Sequence, residues 1–227
     1  MDDVTPRIVL GDCETTGLSA LAGACEIALL ELDIDLNVLN QWESLINPGV
    51  EIEPGAQAIH GISDADVRGA PTMAEAMGFI FSGEKPPVIF IAHNARFDRR
   101  FFGPHMNIVA QVCTLEMARK HMPAAPNHRL GTLRTELGCP ERPAHEAMGD
   151  ILTVLDVLKA LVPLTGRSFA QLIGMGDKPS MLYEMPFGEH KGKKITDIPN
   201  DYRNWLLQQD IDPNLKYTLE TLRKARL

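Results

Sequence analysis

Ile8, Val9 and Leu10 form a short apolar run that leads into Asp12-Cys13-Glu14-Thr15-Thr16-Gly17. The run reads as a buried strand, and Gly17 as the turn that ends it. Side chains two apart on a strand point the same way, so Asp12 and Glu14 present two carboxylates together beside an apolar core. Like charges held that close repel, and each resists losing its hydration. A divalent cation reverses both penalties. A chain that places this pair at a strand end therefore needs partners for the cation from elsewhere in its length.

The 227 residues suffice for one domain with a real core plus a small second module. A hydrophobic content of 44% is that of a globular protein. No apolar run reaches bilayer length, and Asp2 and Asp3 do not open a signal peptide, so a cytoplasmic protein with no membrane association is expected. Cys13, Cys25, Cys113 and Cys139 are widely spaced, which fits reduced thiols rather than a disulfide frame or zinc site. The net charge of −8 is uneven. Residues up to Asp177 hold thirteen Lys/Arg against twenty-three Asp/Glu, and those from Lys178 onward hold nine against seven. An acidic body with a mildly basic tail suggests two modules, 1–173 and 184–227, joined by a linker at 174–183.

Ile27 to Leu32 and Val38 to Ile46 read as strands of an antiparallel meander with the first. Thr72 is a suitable N-cap for a helix from Met73 to about Phe81, and Val88 to Ala92 reads as a buried strand after Pro86-Pro87. His93-Asn94-Ala95-Arg96-Phe97-Asp98 then opens a short helix on which Asp98 shares a face with Phe101 and Phe102. Thr114 is expected to cap a helix to His121, and Leu130 to Leu137 forms another, ended by Gly138. The longest helical signal runs from about Ala144 to Leu161, with Ala147, Ile151, Val154, Leu155, Leu158 and Val162 as its apolar stripe. Gly149, Thr153, Asp156 and Ala160 make the opposite, mainly polar face. Asp150 lies in line with the stripe. His145, five residues earlier, sits about 140° away on a helix, so it must precede the helix proper to act with Asp150.

Four carboxylates and one histidine, namely Asp12, Glu14, Asp98, Asp150 and His145, are the parts that two-metal phosphodiester hydrolysis needs. A neutral imidazole accepts a proton near neutral pH. Each residue alone also has a plainer explanation. Asp12-x-Glu14 could be a solvated turn, Asp98 a dipole-favoured acid in a first helical turn, Asp150 the partner of an arginine such as Arg134, and His145 a packing residue. Their joint occurrence favours a nuclease.

The segments Asp12 to Gly17, His93 to Asp98 and His145 to Asp150 resemble, in order and spacing, the three motifs of the DnaQ-like (DEDDh) 3′→5′ exonucleases, and Ile59-His60-Gly61-Ile62 is similar to a substrate-contacting element of that family. The resemblance spans about Arg7 to Val162. It implies an α/β ribonuclease H-like fold, a central mixed β-sheet flanked by helices, with a small α+β C-terminal module. It also implies two Mg²⁺ or Mn²⁺ ions, with Asp12, Glu14 and Asp150 on the catalytic ion, Asp12 shared with the second and Asp98 holding that second ion. His145 would be the general base. Thr15, Thr16, Gly17 and Leu18 would meet the terminal nucleotide, the first three through backbone donors and Leu18 as a wedge, with His60, Asn94 and Phe97 lining the same pocket. Cys13 stands where Thr is common, and its side chain is expected to face away from the metals. His60 could equally be a satisfied loop histidine, and Leu18 and Phe97 could be core.

The resemblance thus implies a hydrolase that releases nucleoside 5′-monophosphates from DNA 3′ ends, single- or double-stranded, in DNA repair or proofreading. The alternatives are an exoribonuclease and a non-catalytic subunit that binds alongside a polymerase. In the tail, Phe187-Gly-Glu-His-Lys-Gly-Lys-Lys and Tyr202-Arg-Asn-Trp-Leu are similar to a C-terminal segment found in a branch of the same family. Lys191, Lys193 and Lys194 read as a solvated hairpin tip, Trp205 as the module's core, and Cys113 and Cys139 as structural.

Overall fold

The computed structural model describes residues 5–19, 21–173, 182, 184–209 and 211–224. The chain divides into two compact units, Met1–Gly176 and Asp177–Leu227. The expected linker at 174–183 lies outside the described residues except for Leu182.

In the first unit, β1 (Arg7–Thr15), β2 (Ala24–Leu32) and β3 (Val38–Leu45) form the expected antiparallel meander. Two short helices follow, α1 (Pro54–His60) and α2 (Asp64–Val67). Next come α3 (Met73–Ile80), β4 (Pro87–Ala92), α4 (Ala95–Phe102) and β5 (Asn107–Cys113). The chain continues through α5 (Thr114–His121), α6 (Leu130–Glu136), α7 (Ala147–Leu164) and α8 (Phe169–Ile173). Among the described residues five strands make one sheet in the order β3-β2-β1-β4-β5, with β1 parallel to β4 and β4 parallel to β5. The fold is an α/β mixed sheet flanked by helices.

β1 is central, and its alternation decides where the acids go. Val9 and Cys13 face the core that α3 and α4 cover, through Met77, Ala95 and Phe102. Ile8 and Leu10 face the core that α7 covers, through Ile151, Val154, Leu155 and Leu158. Asp12 and Glu14 continue the second row beyond the apolar part of the strand, so they project on the α7 side. The Thr72 N-cap of α3 holds, its side chain accepting the Glu75 N–H.

Several expectations are corrected. Thr114 is the first residue of α5 rather than its cap, and its hydroxyl pairs with His93 Nδ1 at 2.9 Å. α7 begins at Ala147, not Ala144, and runs on to Leu164. Gly149 and Thr153, expected on a polar face, are buried, because α7 is packed on two sides. Its second contact surface, Val157 and Leu161, meets Ala118 of α5 and Leu133 of α6.

The second unit holds a minimal hairpin, in which Glu184 bridges Lys194 and Met185 exchanges backbone bonds with Gly192 and Lys193. A short 3₁₀ turn (Ile195–Asp197), α9 (Asn200–Leu206) and α10 (Pro213–Lys224) complete it. Leu182, Met185, Ile195, Ile198, Leu206, Leu215 and Leu219 form its core. Trp205 is not in that core; it is 51% exposed. Leu206 and Arg203 take the inward positions of α9, which turns the neighbouring indole outward.

Among the described residues no helix is long and apolar enough to cross a membrane.

Candidate active site

Three elements deliver the site acids to the C-terminal end of β1. Asp12 and Glu14 come from the strand itself. Asp150 stands in the first turn of α7, and Asp98 in the first turn of α4, the helix that follows β4. Ligand atoms of Glu14, His145 and Asp150 all lie within 4.8 Å of one another. Asp12 and Asp98 are not in that triad but act on it electrostatically. Burial, then the charges of Asp98, Asp150, Glu14 and Glu26, holds the Asp12 carboxyl well above the usual carboxylate range. Burial and the nearby Asp150 push Glu14 up to about 7. Asp98 is only 3% exposed, and burial pushes it up to about 7 as well. Asp150 is also raised by burial, though the His145 backbone N–H offsets part of the effect. Four crowded acids, all with oxygen donors and with one imidazole beside them, fit hard divalent cations such as Mg²⁺ or Mn²⁺.

His145 reaches this cluster by an unusual backbone. It lies just before α7, with φ +64°, a left-handed conformation uncommon for a side-chain-bearing residue. That turn aims its N–H at Asp150 Oδ2, 3.1 Å away. Gly149 makes the turn possible: a Cβ there would lie 2.1 Å from the Pro143 carbonyl oxygen, so the incoming loop can lie directly on the first turn of α7.

Glu26 is a site acid that sequence reasoning missed. It pairs across the strands with Glu14, and its Oε2 accepts the N–H of Ala147, the first residue of α7, at 2.9 Å. Its pKa is raised by burial. The available signal was an acid interrupting the apolar run of β2, whose meaning depends on a register known only from the fold.

The thiol of Cys13 points away from the Asp12 and Glu14 carboxylates. It lies on the opposite face of β1 from Asp12 and Glu14, yet it contacts Asp98 Oδ1 at 3.6 Å, because α4 covers that face and brings Asp98 over it. Cys13 therefore touches one of the acids rather than standing clear of them.

The residues expected to bind substrate surround the cluster unevenly. Thr15 Oγ1 donates to the Gly17 carbonyl and Thr16 Oγ1 accepts the Gly23 N–H. The Thr16 N–H is itself bonded to the Gly23 carbonyl, so it is not available as a nucleotide donor. Leu18 is 83% exposed, which removes the core alternative for it. His60, at the end of α1, accepts the Ile62 N–H on Nδ1 and contacts the Thr15 carbonyl from Nε2 at 3.2 Å. Both ring nitrogens have protein partners, so His60 serves as wall rather than as a free polar contact. Asn94 is exposed, in a left-handed conformation that Asn tolerates. Phe97 is half-buried, edge-on to Phe101, and Arg100 covers both rings and donates to the Ser19 carbonyl at 2.9 Å. His93, though part of the same motif, is structural: burial lowers it to about 4, and its Nε2 meets the His128 carbonyl.

Comparison with known proteins agrees with this architecture. The profile of the RNase T-type family, described as "Exonuclease", matches residues 9–158. A second profile, described as "Putative quorum-sensing-regulated virulence factor", matches residues 180–219. Exodeoxyribonuclease 10 of Escherichia coli K12 is 29% identical over 218 residues, 92% of this chain and 95% of its own length. A DNA polymerase III subunit epsilon-like protein of Rhodobacter capsulatus is 31% identical over 166 residues, 68% of this chain but 23% of its own. Among solved structures, exonuclease X in complex with 5′ overhanging duplex DNA superposes with a TM-score of 0.63 at 27% identity, covering 74% of this chain and 98% of that one. E. coli exonuclease I in complex with a dA16 oligonucleotide, at 22% identity and a TM-score of 0.62 over 74% of this chain and 43% of that one, shares the fold.

Proposed function

The chain belongs to the DnaQ-like exonuclease family and is an exonuclease, and from that premise we propose that it shortens DNA stepwise from the 3′ end, releasing nucleoside 5′-monophosphates. The observation that carries this reading is the mutual approach of Glu14, His145 and Asp150 within 4.8 Å, beside the crowded Asp12 and Asp98. Two divalent ions, Mg²⁺ or Mn²⁺, would be held by Asp12, Glu14, Asp98 and Asp150; when bound they would polarise the scissile phosphate and offset charge on the attacking and leaving oxygens.

The protein's own groups have distinct tasks. His145 takes the proton of the attacking water on a ring nitrogen, which its exposed position at the mouth of the cluster permits. Glu26 and the backbone N–H of His145 hold the start of α7 and the Asp150 carboxylate in place. Leu18, exposed on the loop after β1, is positioned to press against a base, and the half-buried rings of Phe97 and His60 form the wall around the terminal nucleotide. Asn94, Gly17 and Thr15 complete that pocket.

A DNA substrate is supported by two relatives, Exodeoxyribonuclease 10 and exonuclease X in complex with 5′ overhanging duplex DNA. With that substrate, the role we propose is DNA repair or proofreading. The first unit is read as the exonuclease domain and 184–227 as an accessory module.

Strands of DNA and RNA labelled at either end, incubated with Mg²⁺, Mn²⁺ or EDTA, test the proposal. The expected result is a ladder shortened from the 3′ end, on DNA more than on RNA, and abolished by EDTA. Internal cuts, digestion from the 5′ end, or activity that survives EDTA would sink it. Faster digestion of RNA would reassign the substrate.

A further inference from the structure

We infer that the Tyr202–Trp205 edge of α9 and the adjoining basic turn form, within the second unit, a binding site for single-stranded nucleic acid. Three rings stand in a row on this face. His190 meets Tyr202 edge-on with centroids 4.6 Å apart, and Tyr202 lies 5.4 Å from Trp205. The core of the unit is aliphatic and closes without the indole, which is 51% exposed. An indole left outside the core, tilted against a second ring with its own face half exposed, offers a surface to a partner rather than packing.

The cations lie at the other end of the row. Lys193 Nζ is 3.2 Å from His190 Nδ1, and Lys191 is exposed in the same turn. Gly188, with φ +73°, folds the turn closely against Tyr202; a Cβ there would be 3.1 Å from the tyrosine hydroxyl. The stretch Glu189 to Lys194 carries three lysines against one glutamate, and Asp201 is the acid beside Tyr202 on α9. Aromatic faces next to a short cationic track are the two elements by which proteins hold single strands without reading sequence: bases stack, and phosphates meet the lysines. An apolar protein surface would use the rings but not the cations, whereas a single strand uses both along its whole length, so charge complementarity favours the polyanion. Residues 1–177 carry a large excess of acid, whereas Lys178 onward is the basic part of the chain.

Binding by this face needs neither metal nor any acid of the first unit. It is measured by fluorescence anisotropy of a labelled single-stranded oligodeoxynucleotide titrated with the full chain in EDTA, with hydrolysis of a dinucleotide in Mg²⁺ assayed separately. Trp205→Ala should weaken oligonucleotide binding about tenfold, the usual effect of losing one stacking ring. Lys191→Ala with Lys193→Ala should flatten the dependence of log K on log salt by about 0.7 per lysine. Both variants should keep their circular dichroism spectrum and their dinucleotide rate. Wild-type affinity in Trp205→Ala, or an unchanged salt slope in the double lysine variant, overturns the site. If DNA is not shortened by the wild type but Trp205-dependent binding persists, the proposed reaction fails and this site stands.

Discussion

The Glu26 carboxylate accepts the N–H of Ala147 at 2.9 Å, across a sequence separation of 121 residues. The strand that flanks β1 thereby fixes the start of the helix that carries Asp150, and with it the left-handed turn at His145. Glu26 acts as a cap from a distant element, satisfying one of the helix's unpaired first-turn donors.

Glu26→Ala should therefore cost about 1 kcal/mol of stability, the usual worth of a lost cap, as read by urea unfolding. Its turnover should fall more than its substrate affinity, because the misplaced groups are Asp150 and His145. Glu26→Gln keeps an acceptor oxygen and should restore most of both. Equal turnover in all three proteins would show that the bond is dispensable to the site.

His145 and Asp12 should separate by the property each one loses. Removing the base in His145→Ala should lower turnover by about 10²- to 10⁴-fold, with Mn²⁺ affinity retained in calorimetry. Affinity that falls with the rate would make His145 a ligand instead. Asp12→Asn should abolish turnover yet raise the melting temperature in EDTA at neutral pH, since it removes the carboxyl whose ionisation the fold opposes through burial and four neighbouring acids.

The raised acids also set the direction of the pH response without metal. Asp98 and Glu14 titrate near 7 in the folded chain, against 3.8 and 4.5 without the fold. Between those values the native state holds protons that the unfolded chain has released. Their contribution to stability is thus complete below the unfolded pKa values and is lost as the pH rises through about 7. Thermal melts in EDTA should show a falling melting temperature from about pH 5 to pH 8. Mg²⁺ or Mn²⁺ should raise it, by an increment that grows with pH because the ions bind the deprotonated acids. A metal-free profile that rises over this range would contradict the placement of these acids.

Most of the sheet was legible because its signals are local. The buried runs of β1, β2 and β4 are continuous and apolar, and the Thr72 cap lies within one turn of its helix. β5 was not legible: its first half alternates weakly, with Val109 53% exposed, and only its last residues are buried. α1 and α2 were hidden among Pro, Gly and acids, where helices of seven and four residues leave no periodic signature.

By itself the sequence determined which acids share a strand face, since the spacing of Asp12 and Glu14 is fixed by covalent geometry, and it marked Asp98, His145 and Asp150 by their order along the chain. Only the tertiary structure decided what those groups touch. The pairing of Glu26 with Ala147, the contact of Cys13 with Asp98, the occupied nitrogens of His60 and the outward turn of Trp205 all depend on register and packing between segments far apart in sequence. Strand alternation and helical period are properties of the local backbone, whereas such contacts exist only once the chain has folded.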